Sequence, residues 1–365
     1  MHVRSRSAAS GESDPGTDAD TVVDVLIPPS RGLLTSTVVS HLAVGVGHVL
    51  MLTQNRGLFA WGQNVKGQCA HPPSTMPFLN EPVQVSLRSR ESDRGGSGTA
   101  ISVLSVAAGG DASLAQLSSG EIWQWGVRFP FLSTQRRCNH EPIPVLTCSP
   151  QGRLVVGAEG RSYYVLISPP PGGSTTTMHV WGENNYGQLG DNTRIDRKEP
   201  VKVVVRPNLR KLSVCGRSVL GLTTEGGVVA FGEHLVLESY GSNTYSNIRS
   251  VRCFSSPVTI SVRLNSGGLV AKSAEFETLE VVDVVCCYGG AFFVTSSSKI
   301  YRCLAFKSQP GQLAFSRGGR LDCVMLGEVF LPKERSVKSG KRAVFSIRHT
   351  FDSRDCHVYC LRRMV

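Results

Sequence analysis

The residues with the means to hold a metal or move a proton are the 11 cysteines and nine histidines, and their spacing is the first thing to weigh. The only close cysteine spacings are Cys286-Cys287 and Cys356-His357-Val358-Tyr359-Cys360. On a strand, residues four apart share a face, so Cys356 and Cys360 could present two ligands to one ion. Strand packing is the alternative, and we adopt it. Cys215, Cys253, Cys286, Cys287 and Cys303 stand in apolar strand contexts, where a thiol behaves as a small hydrophobe. An odd cysteine count behind an N-terminus without a signal-peptide core points to reduced thiols in cytosol or nucleus. His48 follows the turn Gly45-Val46-Gly47 and invites a general-base reading. No glycine-lysine phosphate loop, no HExxH and no Gly-x-Ser-x-Gly elbow accompanies it. The sequence therefore carries an expectation of no catalytic residue, no cofactor and no metal.

Charge offers a different chemistry. The formal net charge is +11. Between Lys299 and Arg348, 11 basic residues face only Asp322, Glu328 and Glu334, a local excess of +8. A second basic stretch runs from Arg194 to Lys211, and Arg88, Arg90 and Arg94 sit in a polar segment. Arg88, Arg90, Arg94, Lys333, Arg335, Lys338, Lys341 and Arg342 are the candidate partner surface. Such loops attract nucleic acid, acidic protein or anionic lipid. The aromatic interleaving of single-strand binders is missing, and a merely solvated surface remains the other reading.

What positions these residues is a repeat. Trp61-Gly62, Trp125-Gly126, Trp181-Gly182 and a decayed Phe231-Gly232 follow one another at spacings of 64, 56 and 50 residues. The fullest copy reads Val180-Trp181-Gly182-Glu183-Asn184-Asn185-Tyr186-Gly187-Gln188-Leu189-Gly190, echoed by Trp61-Gly62-Gln63-Asn64-Val65-Lys66-Gly67-Gln68-Cys69. Ahead of each aromatic come a glycine turn, an apolar strand and a glycine-bearing hairpin: Gly45 to Thr53 then Gly57, and Ala108-Gly109 then Ser113 to Leu117 and Gly120. Alternating apolar residues with glycine at each reversal are what β-hairpins need. A unit of this length is a propeller blade. The glycine after each tryptophan is expected to let two blades approach while the indole fills the gap. At the place of His48 the other copies carry Ala112, Ser218, Gly290 and Ala343, so His48 reads as a turn hydrogen-bonder.

Counting turn-plus-strand copies gives seven anchors, near 45, 109, 157, 215, 255, 287 and 340. The interval from 255 to 287 is shorter than a four-stranded blade wants. A lone strand, Thr21 to Ile27, stopped by Pro28-Pro29, is expected to pair with the last blade and remove two exposed edges. Residues 1–20 read as a disordered tail and 21–365 as a single propeller; the composition, 41% hydrophobic with 38 Gly, suits one turn-rich domain. No apolar run reaches the ~20 residues of a membrane span. Two of the largest insertions, Ser86 to Ala100 and Ser168 to Thr177, fall on the face opposite the glycine turns, where recognition loops can sit.

These motifs resemble the regulator of chromosome condensation repeat family, whose signature runs alanine-glycine, histidine, leucine-alanine-leucine, tryptophan-glycine, asparagine and glycine-glutamine-leucine-glycine. The resemblance covers 38–205 best, 209–232 less and 233 onward least. Its carriers are Trp61, Gly62, Gly67, Gln68, Gly109, Trp125, Gly126, Trp181, Gly182, Gly187, Gln188 and Gly190. The turn Gly67 to Ala70, the run Gly120 to Gly126 and the insertion in the third copy are most similar to alsin-type members. The resemblance implies an all-β, seven-bladed, monomeric ring that regulates a small GTPase, by promoting nucleotide release or by docking an exchange factor. Two other readings stay open: a chromatin or nucleic-acid adaptor using the basic C-terminal blades, and a scaffold subunit of a ubiquitin, ciliary or trafficking complex. Cytoplasm or nucleus is the expected location.

Overall fold

The computed structural model describes residues 38–55, 57–87, 102–128, 139–157, 161–167, 175–239, 247–265, 276–287, 290–303, 305–308, 320–324, 327–328, 343–351 and 356–364. Strands β1 (Val39–Val44), β2 (His48–Thr53), β3 (Leu58–Gln63) and β4 (Phe78–Gln84) form one antiparallel sheet in chain order. β5 (Val103–Gly109), β6 (Ala112–Leu117), β7 (Glu121–Gly126) and β8 (Asn139–Thr147) form the second blade, and β9 (Arg153–Val156), β10 (Ser162–Ile167), β11 (Thr176–Gly182) and β12 (Arg197–Val205) the third. The fourth comprises β13 (Leu209–Cys215), β14 (Ser218–Thr223), β15 (Val228–Ser239) and β16 (Asn247–Ser261).

Beyond it, β17 (Arg263–Asn265) and β18 (Phe276–Thr278) make a short hairpin. β19 (Val281–Cys287), β20 (Gly290–Thr295) and β21 (Ile300–Cys303) start another blade. β22 (Ala305–Ser308) and β23 (Arg320–Val324) leave it to pair in parallel with β15 and β16, while β24 (Gly327–Glu328) returns to β21. β25 (Ala343–Phe351) and β26 (Cys356–Met364) form the last hairpin.

Two irregularities recur, the first in blades 1, 2 and 4 and in the blade begun by β19, the second in blades 1 to 4. The innermost strand slips register at Val39/His41, Val103/Ser105, Leu209/Lys211 and Val281/Asp283. The third strand slips against the fourth at Ala60/Gly62, Gln124/Gly126, Val180/Gly182 and Ala230/Gly232. At each of these slips the extra residues lie in the outer strand, so the bulge bends the edge, while Trp61, Trp125, Trp181 and Phe231 stay paired with the second strand at Val49, Ser113, Tyr163 and Val219. Outermost strands carry Pro82, Pro142, Pro144 and Pro200, which withhold donors from an exposed edge.

Hydrophobic cores lie between sheets. One joins blades 1 and 2 through Leu50, Leu52, Trp61, Ala115 and Trp125; a second joins blades 2 and 3 through Leu114, Ile122, Val156, Tyr163 and Trp181; the third joins blades 3 and 4 to β19 and β20. Middle strands such as β2 and β6 are buried at every residue because both faces are covered.

One expected anchor is corrected. The turn expected at Phe254-Ser255 is absent, because β16 runs unbroken from Asn247 to Ser261 as the outer strand of blade 4. Blade 4 lacks the asparagine-and-glutamine loop after Phe231-Gly232; β15 continues through it to Ser239, and the long partner strand absorbs the positions assigned to a fifth copy. The insertion read as Ser168 to Thr177 also ends earlier, since Thr176 and Thr177 belong to β11. Thr21 to Ile27 and the turn at Ser339-Gly340 lie outside the described residues, as do residues 1–20.

Candidate functional site

In blades 1 to 4 the third strand returns to its own first turn by one recurring bond. The amide after the aromatic-glycine pair donates to the turn carbonyl: Gln63 to Gly47 at 2.7 Å, Val127 to Asp111, Glu183 to Arg161 and Glu233 to Arg217, each at 2.9 Å. First turns and third-to-fourth-strand loops thus share one end of the blades. The glycine in the pair serves this bond first. Gly62, Gly126, Gly182 and Gly232 all have positive φ, and an added Cβ would sit 2.1–2.4 Å from the turn carbonyl of the same blade. Closeness to the neighbouring blade comes second: the same added Cβ would lie 3.2 Å from Gln68 Cα at Gly126, and 3.3 Å from Gln188 Cα at Gly232. The expected approach to the next blade is therefore present at Gly126 and Gly232, as the looser of the glycine's two contacts.

The Gly-Gln pair is what clasps the next blade. A Cβ on Gly67 would lie 2.7 Å from His140 Cα in β8, and one on Gly187 would lie 2.6 Å from Ser255 Cα in β16. Gln68 contributes its backbone carbonyl, which accepts from Trp125 Nε1 at 2.9 Å and Ser113 Oγ at 2.8 Å, and its side chain, which donates to Asp111 at 3.1 Å. His48 Nε2 meets Ser113 Oγ at 2.8 Å, so the histidine bonds across the joint. In the other full copy, Tyr164 of the same blade donates to Gln188 O at 2.8 Å, and the bond to the next blade runs from Asn192 N to Ser255 O at 2.8 Å. Trp181 is stacked on Tyr163 with centroids 5.2 Å apart and donates to Gln124 Oε1 at 3.2 Å. Gly190 packs on the ring of Phe231, and Gly109 against Gly157 O.

Two residues at equivalent places hold the loops open. Asn64 Oδ1 accepts from Cys69 N at 2.9 Å, while its amide donates to His71 O and Met76 O at 2.9 and 2.7 Å. Asn184 Oδ1 accepts from Leu189 N at 2.9 Å, and its amide donates to Asp191, Thr193 and Ile195 O. With their carbonyls turned inward, Met76 and Ile195 present their side chains outward, at 44% and 64% exposure. Phe78 at 45% and Val65 at 43% extend the apolar surface of the first loop. Burial alone would raise the pKa of Asp191, but hydrogen bonds from Thr193, Arg197 and Asn184 outweigh it and keep the carboxylate ionised. Charged groups border this end: Arg161–Glu183 at 3.0 Å, Arg217–Glu233 at 3.6 Å, Arg217 over the Tyr186 ring at 3.9 Å, and Arg194 on Cys253 O at 2.9 Å.

Of the residues read from sequence, the tryptophans, glycines and glutamines gather at these joints. Arg88, Arg90, Arg94, Lys333, Arg335, Lys338, Lys341 and Arg342 lie outside the described residues. Met76, Ile195 and the two asparagine hubs were not singled out. Their signal was the asparagine three residues after each full aromatic, Trp61 and Trp181. Among the described residues no group of three His, Cys, Asp or Glu could hold a metal ion, and no helix is long and apolar enough to cross a membrane.

Comparison with known proteins agrees with this geometry. Two patterns, each described as "Regulator of chromosome condensation (RCC1) repeat", match residues 177–218 and 39–68. Mouse alsin is 35% identical over 104 residues, which is 27% of this chain and 6% of alsin. The bovine secretion-regulating guanine nucleotide exchange factor is 26% identical over 165 residues, 44% of this chain and 32% of that protein. The chain thus spans only a small part of these relatives. The crystal structure of human WBSCR16 superposes with a TM-score of 0.52 at 16% identity, over 78% of this chain and 67% of the other. The chain carries RCC1 repeats and has the antiparallel blades of an RCC1-like β-propeller.

Proposed function

We propose that the chain is a non-catalytic interaction propeller that docks a small GTPase or its exchange factor through the end bearing the asparagine-held loops. The observation that carries the reading is the equivalent outward display of Met76 and Ile195, each fixed by a buried asparagine. A partner closing on preset side chains loses little of their freedom, so apolar burial converts to affinity with a small ordering penalty. Arg194, Arg217 and Tyr186 supply polar partners around the apolar centre, the composition typical of a binding surface. Support for the partner class comes from the RCC1 repeats and from a relative named as a guanine nucleotide exchange factor.

If the partner is the GTPase itself, tighter binding to the nucleotide-free conformation shifts its population and speeds nucleotide release. If the partner is an exchange factor, the propeller positions it and leaves release unchanged. Purified small GTPases loaded with a fluorescent GDP analogue distinguish the two when mixed with this protein. The reading holds if the protein binds a GTPase or exchange factor and Met76→Asp with Ile195→Asp weakens that binding at unchanged stability. Binding unaffected by the double variant overturns it.

A further inference from the structure

We infer that the joint between blades 1 and 2 is acid-labile, because the histidine that bridges it holds only while neutral. The direction of each hydrogen bond follows from one fixed point. Gln68 O is a carbonyl and can only accept, so Ser113 Oγ, 2.8 Å away, donates its one proton there. The contact of 2.8 Å between His48 Nε2 and Ser113 Oγ must then be donated by the histidine. That assigns the proton of the neutral ring to Nε2 and leaves Nδ1 bare. Nδ1 is buried without a hydrogen-bond partner, and His48 as a whole is 1% exposed.

A second proton would have to enter at Nδ1, creating a buried imidazolium whose new N–H meets no acceptor. The site has no slack to supply one. The β1–β2 turn packs so closely that a Cβ on Gly45 would lie 2.5 Å from Nδ1. Around the ring, β3 contributes Gly62 opposite His48, the clasp loop contributes Gln68, and β6 contributes Ser113. The titratable groups on the flanking loop and turn are Lys66, Cys69 and Asp111. Burial pushes the Cys69 thiol up to about 12, so it stays neutral. Asp111 is engaged by Gln68 Nε2 at 3.1 Å.

Burial lowers the His48 pKa from its ordinary 6.5 to about 4. A histidine whose folded pKa is depressed stabilises the neutral pH side: its contribution is whole above pH 6.5 and is lost as pH falls towards 4. At pH 5 the opened joint, with an ordinary histidine, is favoured by about 20-fold relative to pH 7. His234, pushed down to about 4 by burial in blade 4, adds its own acid response, so the reading must be local.

The test is amide hydrogen exchange of the intact protein at pH 7 and pH 5, with protection normalised for the intrinsic pH dependence. Protection in β2 and β6 should fall by about an order of magnitude or more in the wild type, while β20 keeps its protection. His48→Gln, which can still donate to Ser113 and does not titrate, should hold β2 and β6 protection constant between the two pH values. Equal pH responses in wild type and variant overturn the inference. Should His48→Gln fail to fold, NMR titration of histidine-labelled wild type decides. A His48 ring still neutral at pH 5 supports the inference, and titration near pH 6.5 overturns it.

Discussion

Replacing Gly187 with alanine strikes the clasp between blades 3 and 4 at a point where the structure leaves no room. Gly187 has φ +77, a left-handed conformation that is unfavourable by roughly 1–2 kcal/mol for a residue with a Cβ. The new methyl would also sit 2.6 Å from Ser255 Cα, 2.7 Å from Phe254 O and 2.9 Å from Phe254 C, about an ångström inside contact distance. All three atoms are backbone of β16, so no side chain can rotate away. Overpacking of this kind adds about 1–3 kcal/mol. The two effects together give a loss of about 2–5 kcal/mol in urea unfolding. Gly227→Ala is the comparator, because it meets only the Thr223 side chain, at 3.1 Å, and should lose under about 1 kcal/mol. Hydrogen exchange should place the damage in β16 and the 184–190 loop. If Gly187→Ala unfolds at the urea concentration of the comparator, the clasp is not a tight joint and the reasoning fails.

Trp181→Ala, which removes a buried indole stacked on Tyr163, should destabilise by about 3–5 kcal/mol in the same assay; a variant that unfolds like wild type yet loses a partner would make Trp181 a binding residue. Ala70 adopts φ +60 where the other full copy has Gly190, so Ala70→Gly should raise stability by up to about 1 kcal/mol, and a loss would refute the equivalence of the two loops. Removing residues 1–28 should lower the melting temperature well below that of a chain lacking only residues 1–18, if Thr21 to Ile27 closes the ring; equal melting contradicts closure. Reversing Lys333, Arg335, Lys338, Lys341 and Arg342 to Glu should weaken association with an acidic partner, and wild-type binding should decline with salt. Salt-independent association would leave that stretch a solvated surface.

Much of the blade architecture was legible because each signature residue answers a local clash that every full copy repeats. Gly62 and Gly182 must both clear a turn carbonyl, and Gly67 and Gly187 must both clear a neighbouring outer strand. Such constraints admit one residue type and so leave a spacing. Blade 4 escaped the pattern at Ser255 because its constraint is relational: Ser255 is the surface that Gly187 docks on, and no residue type marks that role. The site was less legible. Exposure of Met76 and Ile195 is set by which carbonyl Asn64 and Asn184 capture, 12 and 11 residues along the chain. The bond from His48 to Ser113 spans 65 residues and joins different blades, so composition near either residue says nothing of it.

The most direct test of the account is affinity capture with quantitative mass spectrometry on three baits. One is the wild-type chain, one carries Met76→Asp with Ile195→Asp on the asparagine-held end, and one carries Glu225→Lys in the exposed β14–β15 hairpin on the opposite end. All three should share the same melting temperature. The account predicts that wild type and Glu225→Lys enrich the same small GTPase or exchange factor and that the double variant loses it. A partner retained by the double variant and lost with Glu225→Lys would contradict the assignment of the binding end.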